Sequence, residues 1–194
     1  MKTFLAEIKT SLLLTLVFAV LLCGVYPLAV WTGSQALFAD QANGSLITDK
    51  DGTVRGSRLL AQNFSSEKYF QPRPSAAGTG YDASSSSGTN LGPTSKKLSD
   101  SIQSAVATYR TANGLASDTA VPADAVTSSG SGLDPHISLA NAQLQVTRIA
   151  KARSFAVDKI SALIATHTEG RDLSIFGEPG VNVLQLNVAL DQLR

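Results

Sequence analysis

Apolar residues are distributed along this chain in three ways. From Ser11 to Trp31 they form a nearly unbroken run, SLLLTLVFAVLLCGVYPLAVW, with no charged side chain. At ~1.5 Å of rise per residue, a helix over this run is ~30 Å long, about the thickness of a bilayer's hydrocarbon core. A single span in lipid must satisfy its amides internally, which a helix does. Further along, apolar positions recur at helical spacing. Leu98, Ile102, Ala105, Val106 and Tyr109 share one face, with Thr94 or Ser95 as N-cap and Asn113-Gly114 as the stop. A second helix starts near Ser138 and buries Leu139, Ala142, Val146 and Ile149; Arg148, Lys151 and Arg153 gather toward its end, where cations suit the helix dipole. A third runs from about Phe155 to His167 on Ile160, Leu163 and Ile164 and ends at Glu169-Gly170. A last helix covers Val181 to Leu193, with Leu184, Val188 and Leu190 inward.

The third pattern is that of strands. SLITDKDGTVRGSRLLAQNF, from Ser45 to Phe64, places two β-prone stretches around Asp51-Gly52 and predicts a hairpin. Short strands are also expected at 125–128 and at 172–176. The resulting fold class is α+β: a single N-terminal transmembrane helix plus a helix-dominated mixed α/β extracytoplasmic domain with a small antiparallel sheet. The expected boundaries are a cytoplasmic N-terminus at 1–10, the span at 11–31, a stalk or helix continuation at 32–44 and the domain at 45–194.

A removed signal peptide would have a shorter apolar core and a small-x-small cleavage site. Here the residues before Asp40 read Leu37-Phe38-Ala39, and Trp31 sits where an interfacial anchor belongs. The run therefore reads as a retained anchor. Lys2 and Lys9 precede it against a single Glu7, and the next basic residue is Lys50, so the positive-inside bias places the N-terminus in the cytoplasm and the domain outside. Cys23, the only cysteine, lies within the span. The chain holds 16 Lys+Arg and 15 Asp+Glu; with Lys2, Lys9 and Glu7 set apart, the remainder is neutral. That argues against nucleic acid as a partner.

The motifs that suggest chemistry are weak. Gly130-Ser131-Gly132 lacks the Gly-x-Ser-x-Gly spacing of a nucleophile elbow. Asp134 and His136, two apart in an Asp-Pro-His turn, are not expected to face one another, so a hydrolase is a poor fit. Asp134, His136 and His167 make no metal-ligand motif. Asp49-Lys50-Asp51-Gly52-Thr53 lacks the bidentate Glu of a calcium loop, having Leu60 there, and is explained by the hairpin turn. No Walker A sequence occurs. The densest segment is YFQPRPSAAGTGYD, from Tyr69 to Asp82, followed by SGTNLGPT, from Ser87 to Thr94. Pro72 and Pro74 stiffen it, its glycines admit positive φ, and Tyr69, Phe70, Arg73 and Tyr81 are residue types that anchor interfaces. An ordered docking surface is expected.

The anchor, YFQPRPSAAGTGYDASSSSGTNLGPT, SGSGLDPHIS, HTEGR and FGEPGVNVLQLN occur in an order that resembles the KdpC subunit family of the bacterial Kdp potassium-transporting P-type ATPase. Leu139, where Pro often follows DPHIS, and Gly180, where Arg commonly precedes VNVL, depart from that pattern. The resemblance implies a non-catalytic subunit of a high-affinity, ATP-driven K⁺ importer in the inner membrane. Its partners would be the channel-like KdpA, the P-type pump KdpB, the small KdpF and the lipid bilayer. ATP and K⁺ would belong to the complex, with no cofactor assigned to this chain. Such families are also described as raising the pump's affinity for ATP. With about ten residues in the cytoplasm, that effect would have to travel through the membrane helices. The interface candidates are Tyr69, Phe70, Arg73, Tyr81, Asn90, Asp134, His136 and Arg148. A membrane-anchored extracytoplasmic hydrolase using Ser131 or His136, and a direct nucleotide-binding regulator, are the alternatives.

Overall fold

The computed structural model describes residues 2–193. The chain divides into two compact units, Met1–Leu46 and Ile47–Arg194. In the first, helix α1 (Lys2–Val20) passes through a π-helical turn (Leu21–Val25) into α2 (Tyr26–Leu37), followed by the short α3 (Ala39–Ala42). The stretch Thr3–Leu37, 35 residues, is the one helix among the described residues long and apolar enough to cross a membrane. At ~1.5 Å per residue it is ~52 Å long, more than a hydrocarbon core requires. Helix therefore continues past Trp31 instead of giving way to an irregular stalk.

The second unit opens with the expected hairpin, β1 (Leu46–Thr48) and β2 (Val54–Ser57). Its turn is closed by Asp49 N–H to the Thr53 carbonyl (2.9 Å) and Gly52 N–H to the Asp49 carbonyl (3.0 Å), with Gly52 at φ +84°. After a long irregular segment come α4 (Lys96–Asn113), α5 (Ala123–Val126), β3 (His136–Ser138), α6 (Leu139–Arg153), α7 (Val157–Thr166), β4 (Thr168–Glu169), β5 (Gly180–Asn182) and α8 (Val183–Gln192). The Ser95, Ser138 and Asn182 side chains cap α4, α6 and α8, each accepting the N–H of the residue three further on. Gly114 ends α4 in the left-handed conformation, which a residue without Cβ adopts freely.

A three-stranded antiparallel sheet, order β3-β5-β4, pairs Ile137 with Val181 and Val181 with Thr168. Ile137, Val146, Ile149, Ile160, Ile164, Val181, Leu186 and Leu190 pack with Phe70 into one core. Three expectations need correction. Residues 125–128 fall in and after α5, a helical turn instead of a strand; the Asp124 carboxylate within it accepts from the Ser138 N–H (2.8 Å) and hydroxyl (2.9 Å). Residues 172–176 form a tight turn closed by one Asp172–Phe176 bridge, because Leu173 and Ser174 take left-handed φ values of 51° and 64°. Leu139, expected inward, is 42% exposed at the first turn of α6.

Candidate partner interface

Residues 67–81 contain no helix or strand, yet the main chain of Glu67–Gln71 is fastened at every residue. Two side-chain amides imitate strand partners. Asn187 of α8 accepts the Phe70 N–H (2.8 Å) and donates to the Phe70 carbonyl (2.9 Å). Gln145 of α6 does the same for Gln71, at 2.8 and 3.2 Å. Two guanidinium groups hold the preceding carbonyls. Arg148 donates to those of Glu67 (2.5 Å) and Tyr69 (3.1 Å), and Arg153 to that of Lys68 (2.7 Å). Irregular backbone inside a domain must find partners for its polar groups, and here helix side chains supply them.

Two of these groups, Gln145 and Arg148, belong to one polar stripe of α6. Asn141, Gln145 and Arg148 stand at i, i+4 and i+7 of α6, beside the apolar stripe of Ala142, Val146 and Ile149. The Asn141 Oδ1 accepts from the Tyr109 hydroxyl (2.8 Å) and from Gln145 Nε2 (2.9 Å), while its Nδ2 donates to Asp124 (2.9 Å). Arg148 is completed by Gln145 Oε1 (2.8 Å) and Asn113 Oδ1 (2.9 Å), all neutral acceptors. Burial therefore lowers its affinity for a proton, and burial, with the Asp124 charge second, raises that of the Tyr109 hydroxyl.

The eight candidates divide accordingly. Phe70 is fully buried in the core and Arg148 lies in the network just described, so neither is on the surface. Arg148, expected with Lys151 and Arg153 near the helix end and as an interface contact, is 8% exposed. Tyr69 stacks under the Arg153 guanidinium (4.7 Å) and donates to Asp191 (3.0 Å). It lines an open groove of about 1030 Å³ between the hairpin and α8. Tyr81, at φ 58°, donates to the Arg73 carbonyl (2.8 Å), and with Pro72 and Pro74 it borders a second groove of about 840 Å³ against α4. Asn90 is exposed, also at positive φ.

Arg73, Asp134 and His136 come together. Arg73 Nη1 lies 3.0 Å from Asp134 Oδ2, and Asp134 Oδ1 accepts the His136 N–H at 2.9 Å. The same oxygen is 3.6 Å from His136 Nδ1, so these side chains do face each other, contrary to expectation. Across the sheet, His136 Nε2 is 3.3 Å from Glu169. The hydrogen bond with Asp134, reinforced by the Glu169 charge, raises the His136 pKa, and the same bond depresses that of Asp134 against its burial.

The Ser131 hydroxyl accepts the Leu133 N–H (3.1 Å) and contacts Ser129 (3.4 Å). The glycine beside it has a packing task. At Gly132, φ +68°, a Cβ would lie 2.5 Å from the Ser87 carbonyl and 2.7 Å from the Ala77 nitrogen. Ser75 Oγ donates to the Gly132 carbonyl (2.6 Å) and accepts the Tyr81 N–H (2.8 Å). SGSG thus buttresses the Pro/Gly-rich segment, which removes the reason to read it as a nucleophile motif. Gln145, Asn187, Asn113, Asn141, Arg153 and Glu169 are the contributors that sequence reasoning missed; the i, i+4, i+7 amide–guanidinium spacing on α6 was the available signal.

The family model described as "K+-transporting ATPase, c chain" matches residues 8–192. The chain belongs to the KdpC family. A potassium-transporting ATPase KdpC subunit from Mycobacterium bovis is 52% identical over 187 residues, 96% of this chain and 98% of the relative. The one from Rhodospirillum rubrum is 53% identical over 173 residues, 89% of each, and that from Koribacter versatilis 49% over 183, 94% and 92%. In this KdpC-family chain, Gly180 lies in β5 opposite Ser138 and Glu169, where a Cβ would sit 3.4 Å from that of His136. A side chain at this position would therefore emerge beside the Asp134–His136–Glu169 group.

Proposed function

We propose that this KdpC subunit is a non-catalytic accessory chain that stabilises assembly of the channel-like and P-type ATPase subunits, in the company of a small KdpF-like chain. The N-terminus is cytoplasmic, the span crosses the inner membrane once, and the domain stands outside. The observation that carries this reading is the fastening of residues 67–81. Arg148, Arg153, Gln145 and Asn187 are committed to the main chain of Glu67–Gln71, while Ser75, Tyr81 and the Arg73–Asp134 pair hold the Pro- and Gly-bearing stretch that follows, which supports reading the segment as a fixed surface. A preformed surface loses less conformational entropy on docking than a mobile loop would. Phe70 and Arg148 serve docking by shaping that surface from within. Tyr69, Tyr81, Asn90 and the Arg73–Asp134–His136 group offer the contacts. The anchor raises the local concentration of the domain at its partner. An influence on ATP affinity, where it exists, passes through the membrane helices as a coupling between states.

The test is to replace Met1–Trp31 with a cleavable export signal and ask whether the released domain co-purifies with the other Kdp subunits and supports growth on micromolar K⁺. Loss of both is expected. Full function without the span would reject the tether. Protease added to sealed, right-side-out cells should digest the domain; protection until lysis would reverse the topology.

A further inference from the structure

Strand β4 has two residues, Thr168 and Glu169, at the edge of the sheet, and it leads into the turn closed by the Asp172–Phe176 bridge. A strand so short makes few ladder bonds, so its order depends on what its side chains hold. The contact within reach is His136. Ser138 pairs with Gly180 and Gly180 with Glu169, which puts His136, Gly180 and Glu169 on one face of the sheet. Gly180 leaves the space between them open, and the His136 Cγ and Cδ2 lie 3.7 Å from where its Cβ would be. The imidazole spans this gap, with Nε2 3.3 Å from Glu169 and Nδ1 3.6 Å from Asp134.

Carboxylates only accept hydrogen bonds. Between two of them an imidazolium donates to both, whereas a neutral ring donates to one and turns a lone pair toward the other. Asp134 has further donors in Arg73 Nη1 (3.0 Å) and the His136 N–H (2.9 Å), and these hold it whatever the charge of the ring. Glu169 is therefore the partner that a neutral ring gives up. Other charged groups near the sheet are engaged elsewhere. Asp124 accepts from Ser138 and Asn141, Arg171 pairs with Glu178, and Arg58 brings its carbonyl, which accepts from Asn182. The second histidine, His167, has its Nδ1 3.0 Å from the Leu163 carbonyl.

We infer that His136 is a proton-controlled latch: charged, it ties β4 and the base of the following turn to Asp134 and the Arg73 segment; neutral, it releases Glu169 and the strand end loosens. The bond with Asp134, helped by the Glu169 charge, moves release to a higher pH than an isolated histidine would give, and the latch is closed below that pH. The latch is a property of the domain itself; that the pH it meets is that outside the cell rests on the topology proposed above.

Amide exchange of the full chain in a membrane mimic, followed over residues 167–172 at pH 5.5 and pH 9 and corrected for the intrinsic pH dependence of exchange, tests it. Relative to α6, protection in the wild type is expected to fall about twofold or more between the two values. His136→Gln and Glu169→Gln should show the lower protection at both. Gly180→Lys, which sets a permanent cation beside Glu169, should keep the higher protection at pH 9. His167→Gln should follow the wild type. A flat wild-type profile, or an undiminished fall in Glu169→Gln, would overturn the latch and leave the membrane topology untouched. Protection of the domain from protease in sealed cells would instead reverse the topology and leave the latch in place.

Discussion

Two irregular segments of the domain carry aromatic and aliphatic side chains, and they are held in opposite ways. In residues 67–81 the side chains of two helices reach out to the main chain, and Phe70 is drawn fully into the core. In residues 171–178 the turn holds itself, through the Asp172–Phe176 bridge and an Arg171–Glu178 ion pair at 2.8 Å. There Leu173, Ile175 and Phe176 remain 83, 71 and 63% exposed. The difference teaches that order in a Pro/Gly-rich segment is here a property of its neighbours. Amides and guanidinium groups on α6 and α8 fix its start, Glu67–Gln71, and the Pro/Gly-bearing stretch that follows is held by Ser75 on the Gly132 carbonyl, Tyr81 on the Arg73 carbonyl and Arg73 on Asp134.

The comparison breaks most completely at Arg148. Arg148→Met keeps the stem and removes every donor, leaving Asn113, Gln145 and two main-chain carbonyls short of partners. A loss of about 3–5 kcal/mol is expected in denaturant unfolding, against the usual small effect of an arginine near a helix end. Asn187→Leu, nearly isosteric, strands the buried Phe70 N–H and carbonyl. It should cost about 1–3 kcal/mol, and protease susceptibility should rise first around residues 67–71.

The His136 group gives a smaller, pH-dependent effect. Its pKa is raised in the folded state, so its stabilisation is full below the unfolded value near 6.5 and disappears as pH rises through the folded pKa. Because the side chain is 38% exposed, screening limits the contribution to about 0.5 kcal/mol. The wild-type advantage over His136→Ala should be present at pH 5.5 and gone by pH 9. Smallest of all is Phe176→Ser. With so little burial to lose, it should change stability by no more than about 0.5 kcal/mol while removing the largest apolar group of the open turn.

The contrast also explains which features could be read from the sequence. The span was legible because twenty or so apolar residues without a charge have one stable state in lipid. The caps at Ser95 and Asn113-Gly114, and a helix start near Ser138, were legible because cap chemistry is local. Strands β3 and β5 were not, since each is three residues long and ends on a helix cap, so that Val181 and its apolar neighbours read as helix throughout. Leu173-Ser174-Ile175-Phe176 alternates like a strand, and only its backbone angles reveal the turn. An ordered surface was expected over Tyr69–Asp82 and Ser87–Thr94, but the partners that hold its start were not. Asn187 and Gln145 lie 117 and 74 residues away from their main-chain partners, and no local pattern announces such a pairing. Arg148 was grouped with Lys151 and Arg153 for the helix dipole and offered as an interface contact, whereas its spacing from Asn141 and Gln145 places it on the inner polar stripe.

Amide hydrogen exchange on the full chain in a membrane mimic tests the central claim most directly. The Phe70 and Gln71 amides, bonded to Asn187 and Gln145, should exchange as slowly as those of α6, near the limit of global opening, while the Ser174 and Ile175 amides exchange orders of magnitude faster. If Phe70 and Gln71 exchange as fast as Ser174 and Ile175, residues 67–81 are not a fixed surface, and the proposed mode of docking is wrong.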